Sequence, residues 1–399
     1  MQERKNGKDK VGIVTLFHHN YNFGGLLQAY ALPVAIERYL GISAEQIDYV
    51  FEPEEQTNIK DTVSLKKIIY SIGIIFFNNL EKNNFSRREK AFEQFMECIP
   101  HSKKKYVDDD ISDSLKTYTK FICGGDQIWN DYQLIKWYRS LDSKVFTLQF
   151  VPENVKKISY APSMAVLKVT DEFKKEFGKG INRLDAISVR EKRSLFVLKE
   201  MTDKPIAVVV DPVLLLKKND WMKVIQYPKM RNKYALCYLL GDNMSQRKGI
   251  KKFVSKVHCK IITFSNICHN IVRKCDLFFG DIHDYTSGPR EFLGLIKNAE
   301  FVITDSFHAC VFSMIFEKPF VVFERNKIGE KGNMNSRIYD FLEEYHLESQ
   351  LVTEKELEDM EEIPQIDFTY AHAHWKKRRE ESLKYLENAL KDNQNGVEE

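Results

Sequence analysis

Short runs of apolar residues, mostly β-branched or aromatic, recur along the chain, and each ends in a polar or glycine-bearing turn. Runs of this length that are bounded by turn residues predict buried strands. Positions 26–40 instead carry apolar residues at helical spacing and end near Gly41, which predicts a helix directly after the first strand. The strand-like runs occupy positions 11–17, 121–123, 157–160, 186–189, 207–210, 234–240, 260–264, 301–303 and 320–323.

The alternation of strand, turn and helix predicts an α/β fold with parallel sheets that are covered on both faces. A chain of 399 residues exceeds one average core, so two domains are expected. We place a first Rossmann-like domain at 1–215, with a helical insert at about 54–106, and a second Rossmann-like domain at 216–370. The segment 371–399 is predicted to be an amphipathic helix that crosses back to the first domain, followed by a charged tail.

Composition narrows the function classes. The formal net charge of +3 gives no bulk argument for nucleic-acid binding. The polar start MQERKNGKDK lacks the apolar core of a secretory signal, and no run of about 18 apolar residues occurs, so a cytoplasmic protein is expected. The seven cysteines contain no C-x-x-C pair, and their spacing with histidine matches no standard zinc module. Neither a metal ion nor another cofactor is expected.

In open α/β sheets, ligands bind beyond the carboxyl ends of the strands, so the residues just after each predicted strand are the candidate site residues. The first such turn holds Asn22, Gly24 and Gly25 ahead of the predicted helix. Glycines at a helix start let backbone N–H groups approach a ligand. The alternative is that the glycines only allow a tight strand-to-helix turn.

The second turn has the sequence GGDQIWN at 124–130. Asp126 and Gln127 offer acceptors and donors for sugar hydroxyls, and Trp129 offers an aromatic face on which a sugar can stack. This combination predicts a sugar site. The alternative is a polar helix cap with Trp129 in the core.

The third turn runs from Thr304 to His308. Ser306 can cap the following helix, and His308 falls in its first turn, where the free N–H groups and the helix dipole favour an anion. A histidine there can titrate near neutral pH and act as an acid or a base, although a lone histidine is more often structural.

Two arginines extend this candidate site. Arg190 follows the strand at 186–189, and its planar guanidinium suits bidentate capture of a carboxylate or phosphate. The alternative is a surface ion pair with Glu191. Asn335 and Arg337 follow a glycine-bearing loop at 329–332 and are expected to reach the same cleft.

Taken in this order, the turns resemble those of the polysaccharide pyruvyltransferase family. The resemblance extends over about residues 11–390. The matching pieces are NFGGLLQAYAL at 22–32, GGDQIWN at 124–130, SYAPSMA at 159–165, SVREKRS at 188–194, VVDPVLL at 209–215, FVITDSFHACVFSMIFEKPFVVF at 301–323 and NSRIYDFL at 335–342.

The resemblance implies a GT-B-like pair of Rossmann-like domains that face a cleft. It also implies phosphoenolpyruvate as donor on the second domain and a sugar or lipid-linked oligosaccharide as acceptor on the first. The family's Arg-x-His element falls on Ser306-Phe307-His308, where His308 matches and Ser306 replaces the arginine of some relatives. Arg190 and Arg337 match two further arginines of the family.

Ketal formation requires protonation of the donor methylene, deprotonation of a sugar hydroxyl and departure of phosphate. We expect His308 to be the general acid and Asp126 to position, and in one version deprotonate, the acceptor hydroxyl. A nucleotide-sugar glycosyltransferase and a non-catalytic glycan- or anion-binding protein are the alternatives on this fold. The expected donor-binding residues are Arg190, Ser306, Phe307, His308, Asn335 and Arg337; the expected acceptor-binding residues are Asn22, Gly24, Gly25, Asp126, Gln127 and Trp129.

One stretch suggests a membrane surface. The apolar segment 68–77 is flanked by basic residues, a pattern that can rest on an anionic bilayer. It predicts a peripheral contact with the inner face of the cytoplasmic membrane. The alternative is a helix that packs on its own domain. The flanking basic residues are Lys66, Lys67, Arg87, Arg88, Lys90, Lys103, Lys104 and Lys105.

Overall fold

The computed structural model describes residues 9–18, 20–50, 65–130, 144–166, 168–228, 233–264, 267–268, 271–325 and 335–391, with the backbone alone at 65–80, 267–268 and 271. Within these ranges the chain forms two compact units. The first unit combines the residues up to 50 with Glu97–Leu216 and the chain from Trp375 onwards. The second unit combines the described part of 55–96 with Lys217–His374.

Five parallel strands form the main sheet of the first unit, in the order β3-β2-β1-β4-β5. A parallel bridge between Ile158 and Ala186 leads from this sheet to the parallel pair β6-β7. The strands are β1 (Lys10–Val14), β2 (Ser43–Tyr49), β3 (His101–Tyr106), β4 (Lys120–Gly124), β5 (Lys156–Tyr160), β6 (Ile187–Val189) and β7 (Ile206–Val208). The helices are Phe23–Leu40, Asp171–Ile181, Arg193–Leu198 and the part of Thr369–Leu390 from Trp375, with 3-10 turns at Ile111–Lys116 and Pro212–Leu215.

The second unit repeats this plan with five parallel strands in the order β12-β9-β8-β13-β14. A small antiparallel pair, β10-β11, lies outside that sheet. The strands are β8 (Tyr234–Tyr238), β9 (Lys260–Phe264), β10 (Ile267–Cys268), β11 (Ile271–Val272), β12 (Ile282–Asp284), β13 (Phe301–Thr304) and β14 (Phe320–Val322). The helices are Lys218–Met222, Met244–Lys256, Pro289–Asn298, Phe307–Phe316, Ser336–Tyr345 and Glu354–Asp359, with a 3-10 turn at Glu348–Gln350.

Buried apolar strands carry both sheets, as the sequence predicts. Every residue of β4, β8, β13 and β14 is buried, which is typical of parallel strands covered on both faces. The helix Phe23–Leu40 ends where Gly41 takes a left-handed φ of 68° and donates its N–H to the Glu37 carbonyl. The predicted α/β fold with parallel sheets is therefore confirmed.

The prediction for the segment 54–106 is wrong in two respects. Its last residues form strand β3 of the first unit, which was hidden because three successive residues of HSKKKY are exposed at the sheet edge. The long helix Leu65–Cys98, expected in the first domain, groups mainly with the second unit. Its Phe85 side chain packs on Tyr285, with ring centroids 5.5 Å apart, and its Arg88 side chain donates to the Asp284 carbonyl.

These contacts also bear on the expected membrane surface. Arg88 is buried, so it cannot meet lipid, and Lys104 is paired with Asp110 and Asp113. The apolar side chains at 68–77 lie outside the described residues. Among the described helices, none is both long enough and apolar enough to cross a membrane.

The C-terminal helix returns to the first unit, as predicted. The Trp375 indole N–H donates to the Leu214 carbonyl at 2.7 Å, and the Arg379 Nε donates to the Leu215 carbonyl at 2.6 Å. The Val210 N–H donates to the Ser382 hydroxyl at 3.0 Å. The helix thus satisfies backbone groups of the segment 210–215 that would otherwise be buried without partners.

Replacing Trp375 by Ala should lower the free energy of unfolding by about 3–5 kcal/mol, because it removes a large buried side chain and the Leu214 hydrogen bond together. Urea denaturation followed by tryptophan fluorescence and circular dichroism measures the change. Lys377→Ala, at an exposed position of the same helix, should stay within about 0.5 kcal/mol of the wild type. Equal effects of both substitutions would contradict the packing described for Trp375.

Candidate functional site

Two asparagines organise the turn after β1. The Asn22 side chain caps the helix Phe23–Leu40 by accepting the Gly25 N–H at 2.9 Å. The Asn20 side chain accepts the Asn22 N–H at 2.9 Å and donates to the Leu16 carbonyl at 2.6 Å. A Cβ on Gly25 would lie 2.5 Å from the Asn20 amide nitrogen, so a larger residue there would displace the Asn20 side chain from its two hydrogen bonds. Gly24 and Gly25 are buried, whereas Asn22 is exposed and can meet a ligand.

Glycines are also required sterically at the end of β4. A Cβ on Gly124 would lie 1.9 Å from the Tyr160 carbonyl oxygen. Gly125 has a φ of +74°, and a Cβ there would lie 1.7 Å from the Gln28 side-chain oxygen. The buried Gln28 also donates to the Thr15 hydroxyl at 3.1 Å. The Gln28 side chain therefore fills the space between Thr15 and Gly125, beyond the carboxyl ends of the paired strands β1 and β4.

The next residue, Asp126, has a φ of 41°, also in the left-handed region. Its side chain is 16% exposed, and its Oδ1 lies 3.9 Å from the Arg190 Nη1. Arg190 also donates through Nη1 to Asp211 at 2.7 Å and through Nε to Glu191 at 3.3 Å. One buried guanidinium therefore faces three carboxylates, and the cluster as a whole is negative.

The electrostatics of Arg190 follow from this arrangement. Burial alone would lower the pKa of Arg190, but the carboxylates of Glu191, Asp211 and Asp126 outweigh it and raise that pKa. Such a cation is already neutralised within its own unit and is a poor site for capturing an anionic donor. The donor-binding role expected for Arg190 is therefore not favoured, and neither is the alternative of a surface pair, because Glu191 is buried too.

Glu191 and Asp211 are the residues of this cluster that sequence reasoning missed. Glu191 accepts the Ser163 hydroxyl at 2.6 Å and the Ala165 N–H at 3.1 Å, and Asp211 accepts the Val213 N–H at 3.0 Å. Glu191 lies two residues after the end of β6 and Asp211 three residues after the end of β7, and this position is the signal that could have found them.

Trp129 does not have the predicted role in acceptor binding. Its side chain is fully buried, its indole N–H donates to the Phe146 carbonyl at 3.0 Å, and its ring packs edge-on against Phe177 at 5.3 Å. The ring is thus part of the core and cannot stack on a sugar. Gln127 is partly exposed and accepts the Asn130 side-chain amide at 2.7 Å. An aromatic side chain that is exposed in this unit is Tyr21, at 43%.

In the second unit, Asp305 joins the ends of β8 and β13. Its fully buried carboxylate accepts the Leu240 N–H at 2.6 Å and the Gly241 N–H at 2.7 Å. The neighbouring Thr304 donates its hydroxyl to the Tyr238 carbonyl at 2.6 Å. Ser306 occupies the N-cap position of the helix Phe307–Phe316, but its hydroxyl makes no capping hydrogen bond. The turn is therefore held by its neighbours and not by Ser306.

The Phe307 ring contacts two predicted donor-binding residues. The His308 ring lies edge-on to the Phe307 ring at 5.1 Å, and the Arg337 guanidinium carbon lies 6.0 Å from the centre of the same ring. All three side chains are buried. Both a histidine and an arginine near a helix start can bind an anion.

Arg325, which sequence reasoning missed, adds a cation beside this group. Its Nη2 donates to the Asp305 carbonyl at 3.0 Å, and its backbone N–H donates to the Asn335 side chain at 3.0 Å. Its buried Nε makes no hydrogen bond with the residues that the structure describes and lies 3.9 Å from the Asp305 carboxylate. The sequence signal was its place shortly after β14, at the carboxyl edge of the sheet.

The residues that the structure describes form no candidate metal site. No group of three or more histidine, cysteine, aspartate or glutamate side chains there is arranged to hold a metal ion.

Replacing Asp211 by Ala should destabilise the first unit by about 3–5 kcal/mol, because Arg190 loses its shortest ion pair in a buried setting. Chemical denaturation measures the loss, and the exposed Asp203→Ala variant serves as control, with an expected change within about 0.5 kcal/mol. A stability equal to that of the wild type would show that the carboxylate cluster does not hold this region.

Comparisons with solved structures return distant similarities. UDP-N-acetylglucosamine 2-epimerase from Rickettsia bellii is 9% identical, with a TM-score of 0.49 and 96% of each chain covered. UDP-GlcNAc 2-epimerase from Neisseria meningitidis is 12% identical, with a TM-score of 0.41, covering 94% of this chain and 99% of that one. The wall teichoic acid polymerase TagF is 12% identical, with a TM-score of 0.44, covering 96% and 88%. A comparison with curated proteins returned no match.

Comparison with protein families gives a direct result. The family model described as polysaccharide pyruvyl transferase matches residues 22–327, which is more than half of the chain. The match includes the Asn22 turn, the carboxylate cluster around Arg190 and the His308 turn. The chain belongs to the polysaccharide pyruvyl transferase family.

Proposed function

We propose that the protein transfers a pyruvyl group from phosphoenolpyruvate to a sugar of a surface polysaccharide or of its lipid-linked precursor. Family membership supports the transferase activity. The observation that carries the donor proposal is the cluster at the start of the helix Phe307–Phe316, where His308 and Arg337 share the Phe307 ring.

The reaction balances without a redox partner. One sugar hydroxyl bonds to C2 of phosphoenolpyruvate while the methylene carbon takes a proton and becomes a methyl group. A second hydroxyl then displaces phosphate from C2 and closes the ketal ring. The two hydroxyl protons end on the methyl group and on the released phosphate. The enzyme must therefore hold an anion, supply a proton and remove one.

The second unit supplies the donor groups in this proposal. Arg325 and Arg337 offer positive charge to the phosphate and carboxylate, and the N–H groups at the start of the helix Phe307–Phe316 offer hydrogen bonds. His308, in the first turn, is proposed as the general acid. The Asn335 side chain accepts the backbone N–H of Arg325, so Asn335 is assigned a positioning role.

The first unit supplies the acceptor groups. Asn22 is exposed, and Asp126 and Gln127 are partly exposed, so their side chains can hydrogen-bond sugar hydroxyls. Tyr21 takes the stacking role once expected of Trp129, since its ring is exposed beside Asn22. Arg190 is proposed to position Asp126 and not to bind the donor.

The direct test is to incubate the protein with phosphoenolpyruvate and a panel of p-nitrophenyl glycosides of galactose, glucose, mannose and N-acetylmannosamine. Mass spectrometry should show an acceptor that gains one pyruvate less one water, with an equal amount of released phosphate. Thermal stabilisation by phosphoenolpyruvate, and not by UDP-N-acetylglucosamine, is also expected. Stabilisation by the nucleotide sugar alone would support a glycosyltransferase instead.

Replacing His308 by Gln should lower kcat by about 10²-fold or more with the fold intact, as the loss of a general acid usually does. His346→Asn is the matched control, because His346 is exposed and its left-handed φ of 55° tolerates asparagine. Steady-state kinetics and a thermal melt are measured on both. A folded His308→Gln protein with wild-type turnover would remove His308 from the proposed mechanism.

We also propose a cytoplasmic location, where phosphoenolpyruvate is made, with a peripheral membrane contact for a lipid-linked acceptor. Co-sedimentation with phosphatidylglycerol-containing vesicles should be salt-sensitive and should fall when Lys66, Lys67 and Arg87 become Glu. The control changes Lys251, Lys252 and Lys256 to Glu on the helix Met244–Lys256. Equal losses in the two variants would reduce the contact to general charge attraction.

A further inference from the structure

A histidine and an aspartate form a close pair at the carboxyl edge of the first sheet. His18 lies in the loop after β1, and its Nδ1 is 2.6 Å from the Asp48 Oδ1 near the end of β2. The His18 side chain is 14% exposed and that of Asp48 is 9% exposed. The pair is thus mostly buried, but both side chains keep some contact with solvent.

Strand order places this pair at the same sheet edge as the candidate acceptor residues. Asp48 lies near the carboxyl end of β2, which pairs in parallel with β1, and β1 pairs in parallel with β4. Thr15 accepts from Gln28, whose side-chain oxygen abuts Gly125, the residue before Asp126. In the strand order, Thr15 after β1 therefore lies between Asp48 on β2 and Asp126 after β4.

The loop does not need the pair for its shape. The Phe17 N–H donates to the Thr15 carbonyl at 3.0 Å, and the Asn20 N–H donates to the Phe17 carbonyl at 3.2 Å. The Asn20 side chain adds a bond to the Leu16 carbonyl. These bonds hold the turn without the His18 ring, and a partly exposed histidine with a carboxylate on one ring nitrogen has the arrangement of a general base with its orienting group.

We propose that His18 is the general base that removes the proton from the attacking sugar hydroxyl and that Asp48 is its positioning residue. The inference rests on the proposed pyruvyl transfer and names a base for it. A carboxylate on Nδ1 selects the tautomer with its proton on Nδ1, so the basic lone pair is on Nε2. Asp48 then stabilises the imidazolium that forms.

The proposed transfer is balanced in protons and electrons. The hydroxyl O–H bond breaks as the O–C2 bond forms, and the proton moves to His18 Nε2. The electron pair of the donor C2–C3 double bond takes a proton from the general acid His308 and becomes the new C3–H bond. His18 then gives its proton to the departing phosphate and returns to its neutral form. The second hydroxyl, as it bonds to C2 and phosphate leaves, gives its proton to the deprotonated His308 and restores the acid. Asp126 keeps the role of orienting the hydroxyl.

The experiment compares single substitutions in the full chain with phosphoenolpyruvate and the best p-nitrophenyl glycoside. His18→Gln and His18→Ala should each lower kcat by about 10²–10⁴-fold, with the acceptor KM changed only a few-fold. Added imidazole should restore part of the turnover of His18→Ala, a recovery that loss of a structural contact would not show. Circular dichroism checks folding, and His18→Gln provides the test if His18→Ala does not fold.

His101→Gln is the matched control. His101 lies in the same unit, its Nδ1 is bonded to the Ile99 carbonyl at 2.7 Å, and its ring packs near Phe17, but no carboxylate partners it among the described residues. Its kcat should stay within a few-fold of the wild type. Asp48→Asn should lower kcat while His18 remains present, and ring nitrogen NMR should show a changed His18 tautomer.

The outcomes separate the two proposals. A wild-type protein that transfers nothing from phosphoenolpyruvate to any acceptor overturns the proposed function and this inference with it. A wild-type protein that transfers pyruvate while folded His18→Gln keeps a third or more of its kcat, or while imidazole fails to rescue His18→Ala, overturns the inference alone. Loss of kcat with rescue, and a His101→Gln control that stays active, supports it.

Discussion

The burial of one guanidinium dictates much of the first unit. Arg190 could not lie in that interior without anionic partners, because a buried unpaired charge costs several kcal/mol. Its partners each hold a further stretch of chain: Asp211 caps the turn Pro212–Leu215, and Glu191 binds Ser163 and Ala165. Asp126, the third carboxylate, is the one left partly exposed. The position of the candidate acceptor carboxylate thus depends on an ion cluster below it.

The second unit also buries a charged group, but there the group is a carboxylate. There the buried carboxylate of Asp305 is satisfied by two backbone N–H groups and not by an ion pair at hydrogen-bonding distance. Arg325 donates its hydrogen bonds to a backbone carbonyl and an amide oxygen, and the Asp305 carboxylate lies 3.9 Å from its Nε. The two units therefore satisfy their buried charges differently, through carboxylates around Arg190 in the first unit and mainly through backbone N–H groups at Asp305 in the second.

Local patterns in the sequence were enough to predict the strands of both sheets that are buried on two faces, since such strands are continuous apolar runs. They were not enough for β2 and β3, whose polar residues face solvent or bond to side chains, as Gln46 does to the Ala29 carbonyl. The turn glycines were predicted from the sequence, because a position that has no room for a Cβ is occupied by glycine. Trp129 was misassigned because its burial depends on Phe146 and Phe177, whose proximity no local pattern reveals. The His18–Asp48 pair was missed for the same reason, since strand register brings it together.

The return of the C-terminal helix has a consequence for biosynthesis. The first unit is assembled from three separate stretches of the chain, and the last of them contributes Trp375, Arg379 and Ser382. During translation, the residues at 210–215 therefore emerge from the ribosome before the C-terminal helix has been made. That helix is their hydrogen-bonding partner in the folded protein. During that interval the surface that the C-terminal helix will cover is exposed on the nascent first unit, and chaperones can bind it. A break in translation near the end of the message would leave a protein with all its candidate site residues and no complete first unit.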